Sequence, residues 1–196
     1  MSKAQREKNI ESAGRVYRSL RGRRPRNRRD LKNYIRGFLG IEIPDKRICA
    51  GHNSPLDYLW HCFSRDFGRK RAGNGDAIVW ANRGGGKTEL AALATLLDCI
   101  FKPNCQVRIL SGSGEQAGRM YDYLTGFLRS GFEAFVVGSP LKRRCRFINN
   151  SAVEVLTQSG ASVRGQHIHK LRCDEVELFD EDVFSAAKFT TQSTDN

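Results

Sequence analysis

The feature that most constrains this chain is a glycine-rich loop between an apolar run and a helical pattern. Residues 76–81 have the sequence DAIVWA, and residues 88–101 carry apolar side chains at helical spacing. The segment from Ala81 to Thr88 matches GxxxxGK[ST], a loop that cradles phosphates, except that Ala81 replaces the usual first glycine. Glycines let backbone N–H groups turn toward phosphate oxygens, and a following helix adds its positive dipole end. The pattern predicts a buried strand over 76–81, a phosphate-binding turn and a helix over 88–101.

Each position of this loop has a predicted role. We expect the ammonium of Lys87 to lie between the β- and γ-phosphates of a nucleotide and the hydroxyl of Thr88 to ligate Mg²⁺. The residues predicted to bind nucleotide are Asn82, Arg83, Gly84, Gly85, Gly86, Lys87 and Thr88. The alternative interpretation is a glycine-rich turn with a surface lysine.

Two acidic residues supply the second half of the predicted site. Asp174 and Glu175 end the segment HKLRCDE (169–175), which we interpret as a core strand although Lys170 and Arg172 interrupt it. In an open parallel sheet, ligands bind outside the carboxyl ends of the strands. We therefore expect Asp174 to hold Mg²⁺, directly or through water, and Glu175 to polarise the water that attacks the γ-phosphate.

The order of the remaining patterns predicts an α/β fold with a mainly parallel sheet flanked by helices. A helix is predicted over 30–39, with Asp30 as its N-cap. The other predicted elements are helices over 54–67 and 115–128, a strand over 106–112, a hairpin of 146–149 with 152–157, and a helix from 181.

The positive charge is concentrated at the N-terminus. The formal net charge is +12, and residues 1–36 hold thirteen Lys or Arg against three acidic residues. We expect a basic arm over 1–46, partly helical or disordered, and a nearly neutral domain over 47–196. Such an arm attracts polyanions, nucleic acid first, although a solvated tail has the same composition. The candidate DNA-binding residues are Arg21, Arg23, Arg24, Arg26, Arg28 and Arg29.

Other features bear on the location of the protein. The chain has no apolar run of the ~18 residues that a membrane helix needs. The first ten residues, MSKAQREKNI, lack the apolar segment of a secretory signal. The six cysteines are scattered without a CxxC pair, which favours reduced thiols. We therefore expect a cytoplasmic protein without membrane contact.

From Ile48 to Ala187 the chain resembles the N-terminal ATPase domain of phage terminase large subunits. The matching segments are GHNSPLDYLW (51–60), DAIVWANRGGGKTELAA (76–92), ILSGSGEQAGRMYDYL (109–124), SVRGQHIHKLRCDE (162–175) and LFDEDVF (178–184). The resemblance implies a P-loop NTPase of the additional-strand, catalytic-glutamate type. It also implies an ATPase that uses ATP and Mg²⁺ to package viral double-stranded DNA in the host cytoplasm, with Glu175, Lys87 and Arg83 as catalytic residues.

The resemblance implies partners as well. These are double-stranded DNA, a terminase small subunit, a portal protein and further copies of the chain in a ring. In such a ring Arg164 could reach a neighbour's γ-phosphate, and the alternative interpretation is a loop arginine that pairs with a nearby acidic residue. Terminases typically have a glutamine, before the phosphate-binding loop, that lies near the adenine base of ATP. This chain has no glutamine between Gln5 and Gln106. We expect the domain to be truncated at its C-terminus and, without a carboxylate cluster for a nuclease, not to cleave DNA.

Several alternatives remain open at this level. A helicase or a nucleotide kinase would share the loop and the acidic pair, and a non-catalytic nucleic-acid-binding remnant could retain both. A zinc site is conceivable from Cys49, His52, His61 and Cys62. A second basic cluster, formed by Lys142, Arg143, Arg144 and Arg146, could contact DNA or form a solvated loop.

Overall fold

The computed structural model describes residues 19–64, 75–156 and 168–192. The chain divides into two compact units, Met1–Pro44 and Asp45–Asn196. Predictions that fall on residues 1–18, 65–74, 157–167 and 193–196 lie outside the described residues, and Arg164 is among them.

The described part of the first unit is built on helix α1 (Arg28–Leu39). The helix begins earlier than predicted, because Asn27 and not Asp30 is its N-cap. The side chain of Asn27 accepts a hydrogen bond from the backbone N–H of Asp30 at 2.9 Å. Leu31 and Ile35 are fully buried on one face, as the helical spacing predicts.

The second unit contains the remaining described elements. Its helices are α2 (Pro55–Ser64), α3 (Lys87–Phe101), α4 (Gly114–Arg129) and α5 (Glu181–Gln192). Its strands are β1 (Gln106–Ser111), β2 (Arg144–Arg146), β3 (Ala152–Val155) and β4 (Lys170–Asp174). Short 3-10 turns cover Glu133–Phe135 and Val176–Leu178. Each of these helices and strands overlaps a predicted one, with bounds shifted by a few residues, and β2 shares only Arg146 with the strand predicted over 146–149.

The four strands form one sheet in the order β2-β3-β1-β4. Strand β1 runs parallel to both β3 and β4, whereas β2 pairs antiparallel with β3. The predicted hairpin is therefore confirmed, and Asn150 in its turn has a positive φ of 65°. The second unit is an α/β structure with an open, mixed sheet flanked by helices.

Adjacent residues of β4 show that helices lie against both faces of the sheet. Successive side chains of a strand point to opposite faces. Arg172 contacts Asp98 of α3, at 2.5 Å between Nη2 and Oδ2. Cys173 packs against the apolar cluster that includes Ala187 of α5. Strand β4 is thus enclosed between α3 and α5.

The predicted strand over 76–81 is wrong. These residues have no regular secondary structure and are exposed, with Ile78 at 93% and Trp80 at 96% of full exposure. An apolar run becomes a strand only when a sheet edge and a second layer cover it, because β-propensity mostly reflects packing. The described sheet contains no ladder with residues 76–81.

Within the described residues, no helix combines the length and the apolar character needed to cross a membrane.

Candidate functional site

The glycine loop (residues 81–88) forms a tight turn that ends in α3. Gly86 is the N-cap of α3 and has a left-handed backbone with φ 73°, which residues with a Cβ rarely adopt. At Gly85 a Cβ would lie 2.8 Å from the side-chain oxygen of Asn82. The N–H of Gly85 donates to the carbonyl of Asn82 at 3.2 Å, which closes the turn. The backbone conformation at Gly86 therefore favours glycine, and a side chain at Gly85 would have to displace that of Asn82.

Lys87 lies over this turn. Its Nζ donates hydrogen bonds to the carbonyl oxygens of Ala81 at 2.8 Å and Asn82 at 3.1 Å. Both acceptors are neutral, so these two hydrogen bonds leave the positive charge of Lys87 at the loop uncompensated. A positive charge at the N-terminal end of a helix favours anionic ligands.

Thr88 connects the loop to the acidic pair. Its Oγ1 donates a hydrogen bond to Oδ2 of Asp174 at 2.7 Å, across 86 residues of sequence. Both side chains are partly buried. The structure thus brings together the two residues that the sequence predicts as Mg²⁺ ligands.

The parallel register of the sheet fixes the position of Asp174. Asp174 is the partner of Ser111 at the carboxyl ends of β4 and β1. The hydroxyl of Ser111 donates to the backbone carbonyl of Asp174 at 3.1 Å. The acidic pair therefore lies at the edge of the sheet where parallel strands end, which is the usual ligand-binding edge of such sheets.

Glu175 has a different environment from Asp174. Its backbone is left-handed, with φ and ψ of 52°, and its N–H donates to Oδ1 of Asp174 at 3.2 Å. Its carboxylate accepts a hydrogen bond from Nε2 of Gln116 in the first turn of α4. Gln116 was not predicted as a site residue. The one signal for it in the sequence is its position just after β1, whose end lies at the same edge as Glu175.

Arg172, in the middle of β4, has a charged partner in α3. Arg172 and Lys102 both pair with Asp98, which is fully buried, and each ion pair has an N–O distance of 2.5 Å. Burial lowers the pKa of Lys170. Burial also raises the pKa of the Cys173 thiol to about 12, although the charge of Arg172 acts in the opposite direction. Strand β4 is therefore enclosed by protein despite its charged sequence.

The other predicted site residues do not join this cluster. Arg83 is exposed in the glycine loop. Arg23, Arg24, Arg26 and Arg29 are exposed in the first unit, where Arg21 stacks on the ring of Phe38 at 5.6 Å. In the second unit, the basic cluster Lys142, Arg143, Arg144 and Arg146 is exposed.

The donor atoms of the site suit a hard cation. Thr88 and Asp174 offer a hydroxyl and a carboxylate, and Mg²⁺ usually binds one or two carboxylates and takes its other ligands from phosphates and water.

In the described ranges, no group of three or more His, Cys, Asp or Glu side chains could hold a metal ion. Cys49 is exposed and Cys62 is buried, and Nε2 of His61 lies 3.0 Å from the carbonyl of Gly75. The structure does not assemble the conceivable zinc site.

Comparisons with known proteins add no family. No protein-family model matches the chain, and a search of curated proteins also gives no match.

Proposed function

We propose that the chain is the ATP-hydrolysing domain of a DNA-translocating motor that resembles the large subunit of phage terminases. In this proposal the second unit is a P-loop NTPase domain of the catalytic-glutamate type, and hydrolysis drives the packaging of viral double-stranded DNA. The observation that carries the proposal is the hydrogen bond between Thr88 and Asp174. It joins the end of a GxxxxGK[ST]-like loop to the first acid of a strand-end pair, which are the two parts that a Mg²⁺–nucleotide site requires.

This geometry supports the following roles. Lys87 releases the carbonyls of Ala81 and Asn82 and binds the phosphate oxygens of ATP, since its charge has neutral partners there. Thr88 and Asp174 hold Mg²⁺. When bound, Mg²⁺ neutralises charge on the phosphate oxygens. Arg83, exposed in the loop, adds positive charge near the same phosphates.

Glu175 accepts the proton of the attacking water. Gln116 donates to the carboxylate of Glu175 and so determines where that carboxylate points. Gln116 is therefore a positioning residue for the proposed base, because a general base must lie within hydrogen-bond reach of the proton it removes.

DNA contact is proposed for the exposed arginines of the first unit and for the basic cluster of the second. Guanidinium groups grip phosphates in a bidentate manner, and such contacts are sequence-independent and weaken with salt. A terminase small subunit, a portal protein and a ring of copies are proposed partners of the assembled motor, in which Arg164 would act on a neighbour's nucleotide.

The decisive experiment measures phosphate release from ATP with and without double-stranded DNA. We expect DNA-stimulated release by the wild-type chain and a loss of about 100-fold or more in Glu175→Gln, the size of a typical general-base contribution. Lys87→Ala should also lose nucleotide binding. Glu177→Gln is the matched control, because Glu177 is exposed two residues further along and should keep wild-type rates.

Other outcomes would identify the alternatives. Transfer of phosphate to an acceptor instead of water would favour a nucleotide kinase. ATP-driven strand separation would favour a helicase. Nucleotide binding without any turnover would favour a non-catalytic remnant, and wild-type rates in both Lys87→Ala and Glu175→Gln would contradict the mechanism.

Salt dependence tests the DNA contacts separately. In Arg23→Glu/Arg24→Glu, the slope of log affinity for duplex DNA against log salt should shrink by about 0.9 for each phosphate that the variant no longer neutralises. Lys46→Glu/Arg129→Glu is the control of equal charge change, because both residues are exposed in the second unit. Equal slopes in the two double variants would contradict a specific role for these arginines.

A further inference from the structure

A buried cluster of opposite charges lies beside the candidate site. Asp98 is fully buried in the last turn of α3, and it pairs with Arg172 of β4 and with Lys102, each at 2.5 Å. The side chain of Lys102 is 2% exposed and that of Arg172 is 10% exposed. Buried ion pairs are weak contributors to stability, because well-packed apolar residues often stabilise a core equally well. Their best-attested use is to select one relative arrangement of the elements that carry them.

The cluster joins the same two elements as the candidate metal ligands. Thr88 in the first turn of α3 bonds to Asp174 at the end of β4. Asp98 in the last turn of α3 pairs with Arg172 of the same strand. Arg172 and Asp174 lie on one face of β4, because side chains two residues apart in a strand point the same way. Helix α3 is therefore attached to β4 by directional contacts near both of its ends.

Helix α2 is attached to the same charges. Nζ of Lys102 donates to the backbone carbonyl of Cys62 at 2.7 Å, and Nη1 of Arg172 lies 3.9 Å from the sulfur of Cys62. The planar guanidinium of Arg172 contacts Asp98 through Nη2 and Cys62 through Nη1, so its contacts are more directional than apolar packing. The ion pair thus restricts movement between the helix that carries Thr88 and the strand that carries Asp174.

We propose that the Asp98–Arg172 ion pair is a positioning device that holds Thr88 and Asp174 at the separation needed to share a Mg²⁺ ion. The proposal rests on the proposed function, in which these two residues hold the metal. Asp98 and Arg172 touch neither metal nor nucleotide, so they act through the alignment of α3 with β4.

The test uses the full chain and a variant that removes all three charges together, Asp98→Leu/Lys102→Met/Arg172→Met. The change removes Asp98 together with both cations that pair with it, so neither Arg172 nor Lys102 is left buried without its carboxylate, and the variant should fold. Binding of a fluorescent ADP analogue is measured first in EDTA and then during a Mg²⁺ titration. We expect unchanged binding in EDTA and an apparent Mg²⁺ affinity that is weaker by about 10- to 100-fold, as for other residues that orient metal ligands.

A matched control separates positioning from general loss of charge. Arg108→Met removes an arginine from the neighbouring strand β1, where Arg108 pairs with Glu154 at 3.5 Å. Its Mg²⁺ affinity should equal that of the wild type. A folded triple variant with wild-type Mg²⁺ affinity would overturn the proposal, because a merely structural pair changes stability without changing metal affinity.

A conservative variant decides the matter if the triple variant does not fold. Arg172→Lys keeps the charge but lacks the planar guanidinium that contacts Asp98 and Cys62 at once, so its Mg²⁺ affinity should still be weaker than that of the wild type. Wild-type affinity in Arg172→Lys would overturn the positioning role alone. If the wild-type chain shows no Mg²⁺-dependent binding of the analogue, the proposed function itself fails, and the positioning role fails with it.

Discussion

A hydrogen bond joins the glycine loop to the acidic pair, yet different contacts fix the positions of these two regions. Asp174 ends a strand that is paired with β1, and its backbone accepts a hydrogen bond from Ser111. Residues 75–86, by contrast, are exposed and lie in no strand. The loop is connected to the acids through Thr88 and the start of α3. The position of Asp174 is therefore fixed by the pairing of β4 with β1. The position of the glycine loop is fixed through Thr88 and the start of α3.

The largest expected effect tests the buried ion pair that attaches α3 to β4. Asp98→Ala leaves the buried cations Arg172 and Lys102 without their carboxylate, and we expect a loss of about 3–5 kcal/mol in the free energy of unfolding. Urea unfolding followed by circular dichroism measures it. Asp122→Ala in α4 is the control, because Asp122 is exposed and its removal should change stability by less than about 0.5 kcal/mol. Similar losses in both variants would remove the distinction between a buried anchor and a surface charge.

A smaller effect tests the connection between the two regions. Thr88→Val removes the hydroxyl that donates to Asp174. In EDTA we expect the free energy of unfolding to fall by about 1 kcal/mol, the net contribution of one hydrogen bond. Thr88→Ser keeps the hydroxyl and should lose less. Equal stability of Thr88→Val and the wild type would show that the contact contributes nothing without metal.

Shortening a side chain in the exposed segment 76–81 should barely change the free energy of unfolding. Trp80 is 96% exposed, so Trp80→Ala should change the free energy of unfolding by less than about 0.5 kcal/mol. The chain has two tryptophans, so Trp60→Phe leaves Trp80 as the single tryptophan fluorophore. Its emission should be strongly quenched by acrylamide. A loss of several kcal/mol in Trp80→Ala, or protection from quenching, would mean that residues 76–81 pack like a strand, and the comparison would break.

The smallest effect concerns the N-terminal end of β4, where His169 accepts a hydrogen bond on Nδ1 from the backbone N–H of Gln106 at 3.1 Å. Burial, and secondly the charge of Lys170, lower the pKa of His169 below its ordinary 6.5. Near and below pH 6.5 the unfolded chain therefore binds more protons than the folded one. This contribution to stability is present above pH 6.5 and declines as the pH falls. Melting temperatures at pH 7.5 and 5.5 should differ less in His169→Gln than in the wild type, and an equal difference would contradict this role.

Much of the fold could be predicted from the sequence because its signals are local. The helical spacing of apolar residues from Thr88 to Phe101 and the Asn149–Asn150 turn report on neighbours in the chain. The incorrect prediction of a strand over 76–81 also comes from relying on a local signal. An apolar, β-branched run predicts a strand only if other strands are positioned to cover it, and their positions are not a local property.

Some residues of the candidate site can be recognised from local motifs, and others only from tertiary contacts. The glycine turn, Lys87, Thr88 and the acidic pair were recognisable because their chemistry lies in short motifs. Gln116 was missed because its relation to Glu175 arises only when α4 starts at the edge where β4 ends. The sequence shows Arg172 only as an interruption of a core strand, because its partner Asp98 lies in a helix that is distant in the sequence.

The sequence by itself determined which residues could turn a loop, start a helix or bind a cation, because backbone conformation and side-chain chemistry depend on residue type and close neighbours. Only the tertiary structure decided that Thr88 meets Asp174, that Gln116 holds Glu175 and that Asp98 accepts Arg172 in the interior. These contacts depend on the parallel register of β1 and β4 and on the packing of α3. Both are settled by cooperative burial of the whole core and not by any short segment.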